Sequence, residues 1–302
     1  MEFNLIDLEI IVSTDDPRRL YDLWPSVGKD FAAACRQVSC SRPGLSCRNC
    51  PSVAECSWNQ VFAQELSVDP AALKRHQKPP LPFAFSFSVP ESVENTEGVI
   101  ASRLVVVGRA IQHLRMLLDG LSKLLADKSC QGNDTILQIL CRDYQGALLP
   151  LNTGIRTNQN SCLVVLSVAD LLGGVTENPS SITLKMLSPL KILQNGRQLN
   201  HFDFSQFARS LMRRVSSMAY YYADYEFICD FETLAMHTSD IVSIEKCFLK
   251  DVNAKGGGII GQGSFSGDFS GLMPFLVLGT FLNAGKGAAY GMGSYALNLD
   301  LC

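Results

Sequence analysis

Hydrophobic positions along this chain recur with two periods, and the order in which those periods alternate is the first guide to its architecture. Residues 2 to 13 carry Phe3, Leu5, Ile6, Leu8, Ile10, Ile11 and Val12 and read as a first strand. Asp15-Asp16-Pro17 then offers a capped helix start, and a helix to about Arg36 follows, with Pro25 and Gly28 breaking or kinking it. From Pro79 to Val89, Phe83, Phe85, Phe87 and Val89 alternate with small residues, the period of two of a strand with one buried face. Arg103 to Arg109 reads as a further strand, and the helix from Ala110 to about Leu125 has apolar residues at 111, 114, 117, 118 and 121. Thr135 to Arg142 is a fourth strand, so the first 145 residues follow the β-α-β-β-α-β order of a ferredoxin-like domain.

Residues 146 to 180 are less regular, with an apolar segment at Cys162 to Val168 and a polar turn after Gly173, and read as an insertion and linker. The same order then recurs. Ser181 to Ile192 is a strand, Phe202 to Tyr222 a helix continued from Glu226 to Ile241, and Ser243 to Lys250 and Ile259 to Ser266 two strands. The helix Leu272 to Leu282, a glycine-rich loop and a last strand from Tyr295 complete the unit. The expected class is α+β, two tandem ferredoxin-like (RRM-like) domains at 1–145 and 181–302, related in pattern rather than in residue identity.

Composition narrows the setting. At 302 residues the chain suffices for two domains with cores of their own. The longest apolar run, Met273 to Leu282, has ten positions and contains Pro274 and Gly279, too short for a bilayer span, and no membrane partner is expected. Met1-Glu2-Phe3-Asn4 is acidic where a secretory signal is basic, which points to a cytoplasmic protein. The net charge of -3 argues against broad, sequence-blind binding of nucleic acid but leaves room for a local patch such as Arg197, Arg209, Arg213 and Arg214.

Two segments carry candidate chemistry. Cys40, Cys47, Cys50 and Cys56 fall within 17 residues rich in turn formers, a spacing suited to a structural zinc that staples a loop too polar for its own core. The alternative is a set of ordinary loop thiols. Eleven cysteines in all, an odd number, argue against a disulfide framework, and most are expected to be buried thiols. The second segment is Gly285-Lys286-Gly287-Ala288-Ala289-Tyr290-Gly291-Met292-Gly293, whose glycines permit positive φ and close approach of a phosphate or a nucleic-acid strand. It is no nucleotide-binding P-loop: five residues separate Gly279 from Gly285 where that motif has four, Gly287 replaces the magnesium-binding Ser or Thr, and the helix precedes the loop. A glycine-rich turn with only a structural role is the plain alternative.

A doubled ferredoxin-like chain ending in such a loop resembles the RAMP superfamily, and in detail the CRISPR-associated endoribonucleases that cut precursor CRISPR RNA within each repeat. The matching patterns are the cysteine cluster before Pro79-Pro80-x-Pro82-Phe83, Val107-Gly108-Arg109-Ala110, Leu184-x2-Leu187-Ser188-Pro189-Leu190, Phe207-x5-Arg213-Arg214, and Gly267-Asp268-Phe269 with the glycine loop. The resemblance implies RNA cleavage without a catalytic metal. The 2'-hydroxyl upstream of the cut attacks phosphorus, leaving a 2',3'-cyclic phosphate and a 5'-hydroxyl. A general base, a general acid and a cation for the phosphorane serve that step. Repeat RNA and other CRISPR effector subunits are the implied partners.

The residues available for these roles differ from the family pattern, which places a histidine in or just after the first helix. Residues 17 to 40 contain none and offer Tyr21, Lys29 and Arg36. Of the four histidines, His201 and His113 are the leading catalytic candidates, with Lys29 and Tyr21 next, although a helix-face histidine more often plays a packing role. RNA contacts are expected from Gly285, Lys286, Gly287, Gly291, Gly293, Arg209, Arg213, Arg214 and Lys255. Two further readings stay open: a subunit of the same fold that holds the repeat hairpin without cutting it, and a scaffold that shares only the fold.

Overall fold

The computed structural model describes residues 3–23, 27–76, 78–87, 98–129, 134–151, 163–174, 179–251 and 257–300. The first half runs β1 (Asn4–Ser13), α1 (Pro17–Leu23), α2 (Gly28–Ser39), α3 (Ser57–Phe62), α4 (Pro70–Arg75), β2 (Phe83–Phe87), β3 (Val99–Val107), α5 (Leu114–Lys128) and β4 (Thr135–Arg142). The sheet order is β2-β3-β1-β4, all antiparallel, which is the ferredoxin-like order. β5 (Leu148–Pro150) extends it beside β4, and β6 (Leu166–Ser167) pairs with β1 ahead of α6 (Val168–Gly173). Segments expected to lie in an insertion thus complete the first sheet.

The second half runs β7 (Ser181–Leu190), a short hairpin of β8 (Leu193–Gln194) and β9 (Arg197–Gln198), α7 (Phe204–Ala223), α8 (Phe231–His237), β10 (Val242–Asp251), β11 (Gly258–Ser266), α9 (Met273–Leu282) and β12 (Tyr295–Asp300). Its sheet order, β10-β11-β7-β12, repeats that of the first. Both halves are therefore ferredoxin-like, as the periodicity predicts.

Several boundaries differ from the sequence reading for local reasons. The expected helix to Arg36 is two helices, and α2 opens at Gly28, where a Cβ would come within 2.7 Å of the Tyr290 ring. Residues 108–113 form a 3-10 segment ahead of α5, because Gly108 has φ +54° and packs against the Tyr222 carbonyl. The helix expected over 226–241 shrinks to α8: α7 ends at Asp224 in a left-handed conformation, and Asp230 caps a fresh start by accepting from the amides of Glu232 and Thr233.

Both faces of β1 are covered, which accounts for its nearly continuous hydrophobicity. Ile6, Leu8, Ile10 and Val12 pack on α2 and α5 in one core. Phe3 and Leu5 join Val105, Val107 and the second half, chiefly α7 and α9, in the other. Asp7 shares that second face. It is fully buried, and Arg103 holds it with two bonds of 2.7 and 2.8 Å while donating to the Thr280 carbonyl of α9. The two halves thus share a core and a polar clamp.

Candidate nucleic-acid interface

α7 is the element on which a basic surface is built. Its apolar positions Phe204, Phe207, Leu211, Val215, Met218 and Tyr222 are buried, and Asp203 caps its first turn by accepting from the Gln206 amide at 2.9 Å. The opposite face carries Arg209 and Arg213, both exposed.

α4 is pinned along this face by the residue that follows it. His76 is buried, stacks on Tyr220 with ring centroids 4.8 Å apart, and lies with Nδ1 3.3 Å from Ser217 Oγ. The Tyr221 hydroxyl donates to the His76 carbonyl at 2.9 Å. Burial, then the neighbouring Arg75 charge, holds the His76 pKa below its ordinary value, so the ring is neutral near pH 7. With α4 fixed this way, Lys74, Arg75 and Lys78 stand opposite Arg209 and Arg213.

Two hollows lie between them. One of about 310 Å³ is lined by Arg75, His76, Gln206, Arg209, Met212, Arg213, Ser216, Phe231 and Ala235. The other, about 400 Å³, is lined by Lys74, Arg75, Lys78, Pro80, Ser210, Arg213, Arg214, Ser217 and Gly285. They share Arg75 and Arg213. The acidic counterweight is Glu226, which accepts two bonds of 3.2 Å from Arg75. A larger hollow of about 800 Å³ near Tyr220 to Tyr222 carries Glu65, Asp224 and Glu226 against Arg109, a net acidic lining of the wrong sign for a phosphate chain.

Arg214 has a different task from its helix neighbours. Its guanidinium donates to the carbonyls of Leu282 (2.8 Å) and Phe83 (3.2 Å), tying α9 to β2, and burial pulls its pKa down to about 10, still charged at neutral pH. It is a strut across the two halves as well as a wall of the second hollow.

The glycine loop also joins the halves. Gly285, Gly287, Gly291 and Gly293 have φ of +77°, +84°, +86° and +66°, as a left-handed path requires. An added Cβ at Gly285 or Gly293 would lie 2.3 or 2.0 Å from a backbone oxygen. The amides of Lys286, Tyr290 and Gly293 donate to Lys191, Gly287 and Pro189 carbonyls, so these N–H groups point into the protein. Asn283 Nδ2 donates to Phe85 and Ala288 carbonyls, and the Phe85 amide to Ala289. Lys286 itself is exposed, and with burial it depresses the pKa of nearby Lys191.

The remaining sequence candidates are scattered. His201 is exposed in the bend before α7. His113 closes the 3-10 segment beside Gln112, 3.2 Å between Nε2 atoms, and burial lowers its pKa. Neither lines the basic hollows. Lys29 is exposed at the start of α2. Tyr21 belongs to α1, with its side chain outside the described residues, as is all of Lys255. Cys40, Cys47, Cys50 and Cys56 are partly exposed free thiols in a run of tight turns. Among the described residues no group of three or more His, Cys, Asp or Glu is gathered as a metal site. Of the described cysteines only Cys35 and Cys141 are buried, against the expectation of mostly buried thiols. Among the described residues, no helix is long and apolar enough to cross a membrane.

Sequence reasoning singled out none of Lys74, Arg75, His76 and Lys78. Four basic side chains in five positions were the available signal.

Residues 184–295 match the family model of the CRISPR-associated endoribonuclease Cas6. The match lies wholly within the second half of this chain, which is similar to the Cas6 domain. A separate model, described as an N-terminal domain, matches residues 29–139. The structure of Thermus thermophilus Cas6 is similar to this one with a TM-score of 0.58 at 13% identity, covering 99% of this chain and 100% of that one. A Cas6 product complex aligns with a TM-score of 0.53 at 13% identity over 98% and 99% of the two chains. In a Cas6-RT-Cas1–Cas2 complex, 99% of this chain aligns with 29% of a longer one, with a TM-score of 0.56 at 14% identity. No curated protein matches it in sequence. The matched segment contains α7, the glycine loop and hence one wall of the basic groove; α4 supplies the other from outside it.

Proposed function

We propose that this protein processes CRISPR RNA: it binds the repeat hairpin of the precursor, cleaves it without a catalytic metal, and stays on the mature guide RNA. The observation that carries the reading is the Cas6 match over residues 184–295, the segment that holds α7 and the glycine loop. The likeness to a solved Cas6 product complex supports it through the shared fold.

In the proposed step the 2'-oxygen bonds to phosphorus as its proton passes to a base, and the bond to the 5'-oxygen breaks as that oxygen gains a proton. The products are a 2',3'-cyclic phosphate and a 5'-hydroxyl. His201 and His113 are the proposed proton-transfer groups, with Lys29 and Tyr21 behind them, and Lys286 is a proposed contact to the RNA backbone. Other CRISPR proteins are the proposed partners.

A second reading, a subunit that holds the hairpin without cutting it, is favoured by one observation: His113 and His201 both stand away from the cation-lined groove. Incubating the protein with a repeat RNA in EDTA, beside the same RNA 2'-deoxy at the cut site, decides between them. Cleavage of the first RNA alone is the expected result. An intact but bound hairpin establishes the second reading, and no binding removes both.

A further inference from the structure

The groove between α4 and α7 has a polarity along its length that a uniform basic patch lacks. At one end, Met212, Phe231 and Ala235 form an apolar wall, with Gln206 and Ser216 as polar groups and Arg209 on the rim. At the other end, Lys74, Lys78 and Arg214 surround the hollow that reaches Gly285. Arg75 and Arg213 stand between.

We infer that this groove takes a single-stranded segment of RNA, with phosphates held by Lys74, Lys78, Arg75 and Arg213 and one base seated against Phe231. The inference rests on the RNA-binding reading above and adds a second contact surface to it. Hollows of about 310 and 400 Å³ match single nucleotides rather than the broad, shallow face a duplex presents. A base can enter such a hollow only when it is unpaired, and single-strand sites combine a cationic track with an aromatic platform in this way. Gly285 places the phosphate end of the groove next to the glycine loop and Lys286, so a strand leaving that loop continues into it.

Glu226 sets the tone of the site. Its two bonds to Arg75 hold the guanidinium that phosphate would otherwise claim, so binding exchanges one anion for another.

The test measures anisotropy of fluorescein-labelled octauridylate, and of a blunt repeat hairpin with no unpaired flank, on the full chain over a range of salt. Arg75→Gln and Arg213→Gln are each expected to weaken octauridylate binding roughly 10-fold and to reduce its salt slope by about one. Phe231→Leu keeps the packing against Phe275 and is expected to weaken it by about 5-fold or more without changing the slope, because stacking carries no counterion release. Glu226→Gln has the opposite sign and tightens binding about 2-fold, within the strength of an exposed ion pair. Hairpin affinity changes by less than about 3-fold throughout, as expected if the duplex lies elsewhere. Parent-like octauridylate binding by both arginine variants overturns the inference, and so does a parent that binds the hairpin but not octauridylate. A parent that binds octauridylate in this groove and ignores the hairpin leaves the groove in place and removes the proposed function.

Discussion

Asp7 and His76 show how much rests on single side chains far from any surface. Asp7 is fully buried on β1, and removing Arg103 strands its charge with, among the described residues, Arg142 as its remaining ion-pair partner, 3.6 Å away. Arg103→Ala is expected to lower stability by about 3 kcal/mol, read from urea unfolding; a loss under about 1 kcal/mol would mean the pair is dispensable. For His76 the folded pKa is depressed, so the stability tied to keeping the ring neutral is fully present above the unfolded value of 6.5 and is lost as pH falls below it toward the folded pKa. The melting-temperature advantage of the parent over His76→Leu should therefore narrow from pH 7 to pH 5, with carboxylate effects cancelling between the two. A gap that stays constant would show that His76 does not titrate differently on folding.

Two loops separate structural from binding chemistry. In the glycine loop, Gly293→Ala forces a left-handed residue against the Ala284 oxygen and should cost about 2 kcal/mol of stability with or without RNA. Lys286→Ala, exposed and replaceable, should leave the melting temperature unchanged while weakening all repeat variants alike and lowering the salt slope by about one. An unchanged slope would take the loop out of the RNA site. In the cysteine loop, a zinc ion would have to draw four sulfurs together from the turns they now occupy, coupling metal uptake to loop folding. The arrangement seen here leads to protein that purifies without stoichiometric zinc and to a Cys47→Ser variant of unchanged melting temperature. About one zinc per chain, lost in that variant, would show instead that metal reshapes the loop.

For the whole molecule, the consequence of a shared core is cooperativity. Phe3, Leu5, Val105 and Val107 of the first sheet lie in the same cluster as Phe207, Leu211 and Phe275 of the second half. Arg103, Arg214 and Asn283 bridge the two halves with hydrogen bonds. Heat or urea should therefore unfold the chain in one transition by both tryptophan fluorescence and far-ultraviolet circular dichroism. Two separated transitions would show that the halves are independent. The joint also bears on function, because α4 and α7 form a groove only while the halves stay docked.

The order of strands and helices could be read from the chain because hydrophobic period is a local property: alternating Phe83, Phe85 and Phe87 can bury one face only as a strand. The doubled βαββαβ pattern and the glycine loop at its end followed from the same kind of neighbour-to-neighbour information. Helix ends were less legible, since Gly28 and Gly108 answer to Tyr290 and Tyr222, residues more than a hundred positions away. The site was least legible of all. Arg209 and Arg213 announced themselves by helical spacing, but nothing in residues 74–78 reveals that His76 will stack on Tyr220 and turn Lys74, Arg75 and Lys78 toward them. Likewise the glycine loop reads as an open phosphate cradle until packing shows the Lys286 and Gly293 amides turned toward the carbonyls of Lys191 and Pro189. Periodicity encodes which face of an element is buried; which elements then meet, and which charges they bring together, is decided by long-range packing.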